Sequence, residues 1–542
     1  MMPLTSRRRI ALIAACSTVF LVFLLFSRHS SSPSFSNSTS HHEPQSPPPP
    51  APNRQKQQQH PDPTSSLPDN DAIPVIYPPA FTLHQPGPGE KFITYLPHSG
   101  FHNQRIELEN ALLLAAYLNR TLLLPPVFLG NPAMPWLRYD KMYERLLLQT
   151  KRGLEHCPQV GPDEPLPSEC LNYFRWTQVP WSFFYDLSKG IKDNVRIVFR
   201  DDLSTEWIMD TLQVGVDDIY FMKDMSPYEF RVYDKPDSAT PLAKFVNRID
   251  VATLEAIETP VLHFGSVFGT YRVLAQTEAH AELLRTFRSE MIFRNPILAE
   301  TAARVVRQLG GVDQFVGLHI RVGDGLFKVR ASIHVDDIYH KLVDAFTDLN
   351  VDQVAYYEDY KHDQDRQENE DYEVRQLRKF KPINEDLSKP IEVNHPPKIQ
   401  EMLGSTPPAG LTRMCEPPTG MDAATRRFQK TVIYIATDAA SPRTSPLLRK
   451  IFATFPCVFV LSDFGEELHD LKRIQVVEEK VKLESYLIPM VDAMIAAQGH
   501  AFYGTADSTF SSYIERQLHP VYTDRPVKVM NVGGGGKKKK AE

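Results

Sequence analysis

The stretch Gln314–Asp324, QFVGLHIRVGD, decides how the rest of the chain is read. Phe315 to Ile320 is apolar enough for a buried parallel strand. It ends abruptly in His319, Arg321 and Asp324, and Gly323 and Gly325 permit a tight turn after it. In open α/β sheets, ligands lie at the carboxyl ends of the strands. An arginine placed there can hold a phosphate through two parallel hydrogen bonds. The segment points to a phosphorylated or nucleotide-linked ligand, and a salt-bridged strand end is the competing reading of the same spacing.

Downstream, Thr431–Ala436 reads as a strand ending in Thr437 and Asp438, Leu447–Phe452 as a short helix and Cys457–Leu461 as a strand. Val481–Gln498 reads as an amphipathic helix, Ala501–Tyr503 as a strand, and Gly504–Asp507 as a turn into a helix starting at Ser508. This alternation argues for a parallel, doubly wound sheet. Residues 352–426 are charged and Pro-containing, and read as an insertion. Upstream, Phe92–Leu96, Asn103–Leu118 and Thr121–Leu124 form a strand, helix and strand, a βαβ unit that Pro125–Pro126 stops. Val261–Phe264 is a further strand, and Ala279–Leu309 has a helical pattern leading into the strand that carries His319. The boundaries expected are a first Rossmann-like domain over 91–280 and a second over 281–530.

Three polar groups should then meet at the carboxyl ends of the second sheet. They are His319, Arg321 and Asp324; Thr437–Asp438; and Asp507, Ser508, Thr509 and Phe510. Ser508 or Thr509 could cap the last helix, whose free amides suit an anion. Arg321 supplies positive charge, Asp438 could bond a base or ribose, and Phe510 could pack on an aromatic base. A nucleoside diphosphate needs these parts. In the first domain, Asn103, Gln104 and Arg105 project from a helix start, also a favourable place for anions.

The 542 residues are too many for one ordinary domain, and at 42% hydrophobic they can build one or two sizeable cores. With a net charge of −6, a pI near 6.3 and no basic stripe interleaved with aromatics, nothing indicates a nucleic-acid partner. Arg7, Arg8 and Arg9 precede an apolar run from Ile10 to Phe26, and no small-residue cleavage site follows. Residues 1–28 therefore read as a cytoplasmic tail and uncleaved signal anchor, with a cleaved signal peptide as the alternative. The arginines stay cytoplasmic and the rest of the chain is lumenal, a single-pass type II arrangement in the Golgi or ER membrane. Residues 29–90, rich in Pro and Ser, read as a disordered stem, and 531–542 as a low-complexity tail. Outside the anchor, Cys157, Cys170, Cys415 and Cys457 remain. Cys157–Cys170 is the first choice for a disulfide and Cys415–Cys457 the second. Asn37 and Asn119 lie in glycosylation sequons.

Four segments together resemble the GDP-fucose protein O-fucosyltransferase family. HIRVGD resembles its His-x-Arg-x-Gly-Asp signature, and YIATD at Tyr434–Asp438 its second strand-end motif. The stretch from Val491 through GTADSTFSSYI resembles its C-terminal motif, and SGFHNQRIELENALLLAAYLNRTLLLPP its N-terminal one. The resemblance implies an α/β fold of the GT-B type, with two Rossmann-like doubly wound domains facing a cleft. It implies an inverting, metal-independent transfer from GDP-fucose to a hydroxyl of a protein or glycan acceptor, with no cofactor. In keeping with that, the Asp-x-Asp triplets, Asp69–Asp71 and Asp363–Asp365, fall in the stem and the insertion. By analogy Arg321 binds the β-phosphate and stabilises the leaving GDP. His319, Asp438, Ser508, Thr509 and Phe510 hold the nucleotide, and Asn103 approaches the diphosphate or sugar.

The first turn, GFHNQR at Gly100–Arg105, is closer to the form seen in plant-type relatives than to the animal type. That branch includes enzymes thought to transfer other deoxysugars. Transfer of another nucleotide-activated deoxyhexose such as rhamnose is therefore the alternative enzyme, and a non-catalytic lumenal binding protein of the same fold the alternative of a different class. His102, Glu107 and His98 are the candidates for the base that an inverting transfer needs.

Overall fold

The structure, a computed structural model, describes residues 71–161, 163–323, 325–347, 431–455 and 457–527. The expected anchor, most of the stem, the insertion, the tail and Asp324 lie outside these residues. Among the described residues no helix is long and apolar enough to cross a membrane.

The fold is α/β, built on two parallel sheets. The first contains β1 (Phe92–Thr94), β2 (Thr121–Leu124), β3 (Ile197–Phe199), β4 (Ile219–Met222) and β5 (Val261–Phe264), in the order β3-β2-β1-β5-β4. Every pairing is parallel. Helix α1 (Phe101–Tyr117) makes the crossover from β1 to β2. Its residues from Gln104 to Ala115 are all buried, because neighbours cover it on every side.

Helices α2 (Glu278–Glu290) and α3 (Pro296–Gln308) lead to the second sheet. The sequence pattern runs on as one helix here, but the chain breaks it. Asn295 accepts hydrogen bonds from the amides of Ile297 and Leu298, and Pro296 occupies the first turn, so a new helix starts. The boundary expected at 280/281 falls inside α2.

The second sheet contains β6 (Val316–Ile320), β7 (Ile433–Thr437), β8 (Val458–Val460) and β9 (Ala501–Gly504), in the order β8-β7-β6-β9 and parallel throughout. Helix α4 (Ala331–Phe346), which the sequence reading passed over, follows β6. Helix α5 (Glu484–Ala496) precedes β9, and α6 (Thr509–Tyr513) follows it. Strand alternation splits the side chains between two cores. Ile433 and Ile435 join α4 on one face, while Tyr434 and Ala436 join α3 and α5 on the other. At Gly317 a Cβ would lie 1.8 Å from the carbonyl oxygen of Ala496, so only glycine lets α5 approach β6 this closely.

One hydrophobic cluster runs from Ile93 of the first sheet and Leu112 of α1 through Phe287 and Leu298 to Tyr434 of the second sheet and Ile514 just after α6. The two sheets therefore share a core. Order also begins earlier than Lys91. Ile73–Pro74 pairs in parallel with Ile474–Gln475, and Val75 is buried. The Pro-rich composition suggested a stem here, but two residues of ladder and a buried valine suffice to hold the segment down. Cys157 and Cys170 form the expected disulfide. Cys457 is in a disulfide as well, whereas Cys415 lies outside the described residues.

Candidate functional site

The site is assembled where the carboxyl ends of the two sheets meet. Register places His319 beside Ala436 on one side and Gly504 on the other, so the chains leaving β6, β7 and β9 emerge together. Thr505 clasps two of them. Its hydroxyl donates to the His319 carbonyl (3.1 Å) and accepts the Arg321 amide (2.9 Å). The Arg321 guanidinium lies 4.5 Å from the centre of the Phe327 ring. From the first sheet, α1 brings His102 to stack on Phe510 (3.8 Å between ring centres) and Asn103 to Thr509 (3.4 Å).

Two histidines in this cluster are held neutral. His319 is buried, its Nδ1 is 2.6 Å from the Ser511 hydroxyl, and its ring lies 4.7 Å from Phe510. Burial, reinforced by Arg321, pushes its pKa down to about 3. His102 is lowered well below the usual range by burial, then by Arg105, His319 and Arg321, and its Nδ1 is buried with no hydrogen-bond partner among the described residues. Burial is the larger cause in both cases, so what the two imidazoles report first is a desolvated pocket, with the positive charge of Arg321 a secondary contribution.

Arg321, His319, His102, Asn103, Thr509 and Phe510 thus come together, while other expected site residues have different work. The Gln104 side chain donates to the carbonyls of Ser99 (3.0 Å) and Phe128 (2.7 Å) and accepts the Phe128 amide, so it locks the turn rather than facing a ligand. Arg105 is buried over Tyr513 (4.6 Å), with Glu109 and Gln517 at 3.5 and 3.4 Å. Ser508 is fully buried, and its hydroxyl caps α6 by accepting the Ser511 amide. Asp438 is exposed, but its Oδ1 accepts the amides of Val322 (2.7 Å) and Gly323 (3.1 Å), which ties down the turn that carries Arg321. Asp507 is exposed in a left-handed conformation (φ 62°) that turns the chain into α6.

The base candidates also sort themselves. Glu107 is fully buried against His98 (2.9 Å), and burial raises its pKa, so it cannot touch an acceptor. His102 is too weakly basic to take a proton readily. Sequence reasoning missed Thr505, Ser511 and Phe327. TADSTFSS could have flagged the first two as hydroxyls flanking a helix start, but no local signal marks Phe327 as a partner of Arg321. Among the described residues the grouping with metal-ligand spacing is His156, Cys157 and Cys170. Its two sulfurs are joined to each other, so it offers no thiolate pair.

No family model matches the chain. Thirty-nine residues are 62% identical to O-fucosyltransferase 30 of Arabidopsis thaliana, a match that spans 7% of this chain and 8% of that protein. A crystal structure of POFUT1 with GDP-fucose is similar over 81% of this chain and 97% of its own, at 12% identity and a TM-score of 0.33. One of POFUT1 with GDP is similar over 82% of this chain and 98% of its own, at 12% identity and a TM-score of 0.32.

Proposed function

We propose that the chain is an inverting glycosyltransferase of the GT-B type that moves fucose from GDP-fucose to a hydroxyl of a protein or glycan acceptor. It needs no metal, and it works in the Golgi or ER lumen on a single-pass type II anchor. The observation that carries this reading is Arg321, which leaves the carboxyl end of β6 tied to Thr505 of the β9 chain, where α1 of the first sheet brings His102 onto Phe510 and Asn103 to Thr509. A diphosphate is the ligand such a place suits, and stabilising its charge as the sugar leaves is the largest service a site of this kind can perform. The strand-end motifs and the 39-residue stretch 62% identical to a plant O-fucosyltransferase support fucose as the sugar.

In this reading Arg321 binds the β-phosphate and Asn103 reaches the donor from the first sheet. Phe510, backed by His102, offers its ring to the base. His319 acts from behind, through Ser511 and Phe510. The test is calorimetry of the purified full-length chain with GDP and with UDP, no metal added, beside the Arg321→Ala variant. GDP binding that the variant loses, with no UDP binding, supports the donor site and leads to transfer assays with GDP-fucose. UDP binding instead favours a rhamnose-type donor. Binding of neither overturns the nucleotide site and leaves a non-catalytic role.

A further inference from the structure

Among the described residues, the site so far has a group for the leaving diphosphate and none for the proton of the incoming hydroxyl. A second polar cluster lies at the carboxyl end of β1, in the turn that leads into α1. His98 is buried there, with its Nδ1 2.7 Å from the Ser99 hydroxyl and its Nε2 2.7 Å from the Ser266 hydroxyl. The Nε2 is also 2.9 Å from Oε1 of Glu107, whose Oε2 accepts the His98 amide at 3.2 Å. Phe268 meets the imidazole edge-on at 5.7 Å, so the ring is fixed from several sides. In the tautomer that carries its hydrogen on Nε2, that hydrogen goes to the Ser266 hydroxyl beside the Glu107 carboxylate, Nδ1 is left as an acceptor, and the Ser99 hydroxyl donates to it.

Ser99 is the part of this cluster that reaches the surface, since His98, Glu107 and Ser266 are buried. It is also the strained part. Its φ of 66° is in the left-handed region, which a serine rarely adopts. The conformation is over-determined by the Ser99 amide, which donates to the Met134 carbonyl (2.6 Å), and by the Gln104 side chain on the Ser99 carbonyl. Within the next four residues the chain places His102 against Phe510 and Asn103 against Thr509. The hydroxyl therefore sits on the turn that lines the candidate donor site.

We infer that Ser99 is a catalytic residue that receives the acceptor's proton, with His98 as the relay behind it and Glu107 as the positioning residue. The inference rests on the transferase reading. As the acceptor oxygen bonds to C1 of the sugar and the bond from C1 to the GDP oxygen breaks, the acceptor's proton passes to the Ser99 oxygen. The proton that Ser99 held passes to His98 Nδ1. The resulting imidazolium is stabilised by the Glu107 carboxylate until the proton leaves with the products, and the electron pair departs on GDP. The arrangement has the logic of a hydroxyl activated by an oriented imidazole, used here to move a proton rather than to form a covalent intermediate.

The test is GDP release from GDP-fucose by the full-length chain, with water as the acceptor. Ser99→Gly suits it because glycine accepts a φ of 66° without strain, and His98→Gln is the companion variant. Each lowers kcat about 100-fold, within the range of general acid–base catalysis, while GDP affinity stays at the wild-type value. Azide attacks without losing a proton. It restores turnover in Ser99→Gly far more than in the wild type and yields fucosyl azide. Release at the wild-type rate, or a loss that azide does not repair, overturns the relay and leaves the transferase standing. A wild-type chain that neither binds GDP nor releases it from the donor overturns the transferase reading, and this inference with it.

Discussion

Replacing Asp438 separates two jobs that one carboxylate could do. In the structure its Oδ1 accepts two amides, from Val322 and Gly323, and so shapes the turn that presents Arg321. A hydrogen bond to a charged group contributes about 1.5–3 kcal/mol. Asp438 is exposed, so each bond belongs at or below the lower end, and the pair holds the turn by roughly 2–3 kcal/mol. Asp438→Ala releases that turn, and if GDP binds only the ordered form, affinity falls about 30–100-fold at ~1.4 kcal/mol per decade. Asp438→Asn keeps an oxygen in place and loses only the charge, so its affinity stays within a few-fold of wild type. Calorimetry with GDP and with inorganic pyrophosphate is the assay. The alanine variant loses both ligands in parallel, because the defect is in the turn and not in the contact with the base. An asparagine variant as weak as the alanine one for GDP, with pyrophosphate binding untouched, would refute the reasoning and make Asp438 a reader of the nucleoside.

Other perturbations follow from the packing. Gly317→Ala sets a Cβ 1.8 Å from the Ala496 carbonyl oxygen, so α5 must move off β6, and the variant should be recovered only in insoluble form, as fractionation of the expressed chain will show. Asp492 is buried with its carboxyl pushed up to about 7 by desolvation, although Tyr434 and the Thr437 amide bond it. A folded pKa above the unfolded one means that the folded state binds more protons. Stability then falls as pH rises from about 4 towards 7 and is level above that. Asp492→Asn should flatten this slope in urea titrations at pH 5 and 7.5, with the variant the more stable at the higher pH. Burial pushes the Glu109 pKa up, but Arg288 and Arg105 outweigh it and the net direction is down. This carboxylate therefore stabilises the fold above its unfolded pKa, and the contribution is lost as pH falls through the folded value. Glu109→Gln, which leaves Arg288 buried and unpaired, should cost about 3–5 kcal/mol in the same titrations at neutral pH.

Much of the fold was legible because parallel strands are marked by short apolar runs that end in polar residues. Thr121–Leu124 and Val261–Phe264 have the bounds expected from the sequence. The strands at Val316, Ile433 and Ala501 lie where such runs occur, and their carboxyl ends carry Arg321, Asp438 and Thr505. That Arg321, His319 and Phe510 would meet could be read from strand ends alone, since neighbouring parallel strands all present the same end.

What the sequence could not supply was the direction in which each polar side chain points. Gln104 and Asn103 are neighbours in a motif, yet one turns inward to the Phe128 backbone and the other outward to Thr509. The helix period separates them by a fixed angle, and only packing decides which face is covered. Ser508 and Ser511 look equivalent in STFSS, but one caps its own helix and the other holds His319. The composition and order of the chain determined two parallel sheets whose strands end in polar residues, Arg321 among them. Tertiary structure decided that the sheets share one core, that Asp438 holds a turn, and that a buried imidazole and carboxylate stand behind Ser99. Those assignments depend on distances between residues far apart in the chain, set by close packing that no local pattern records.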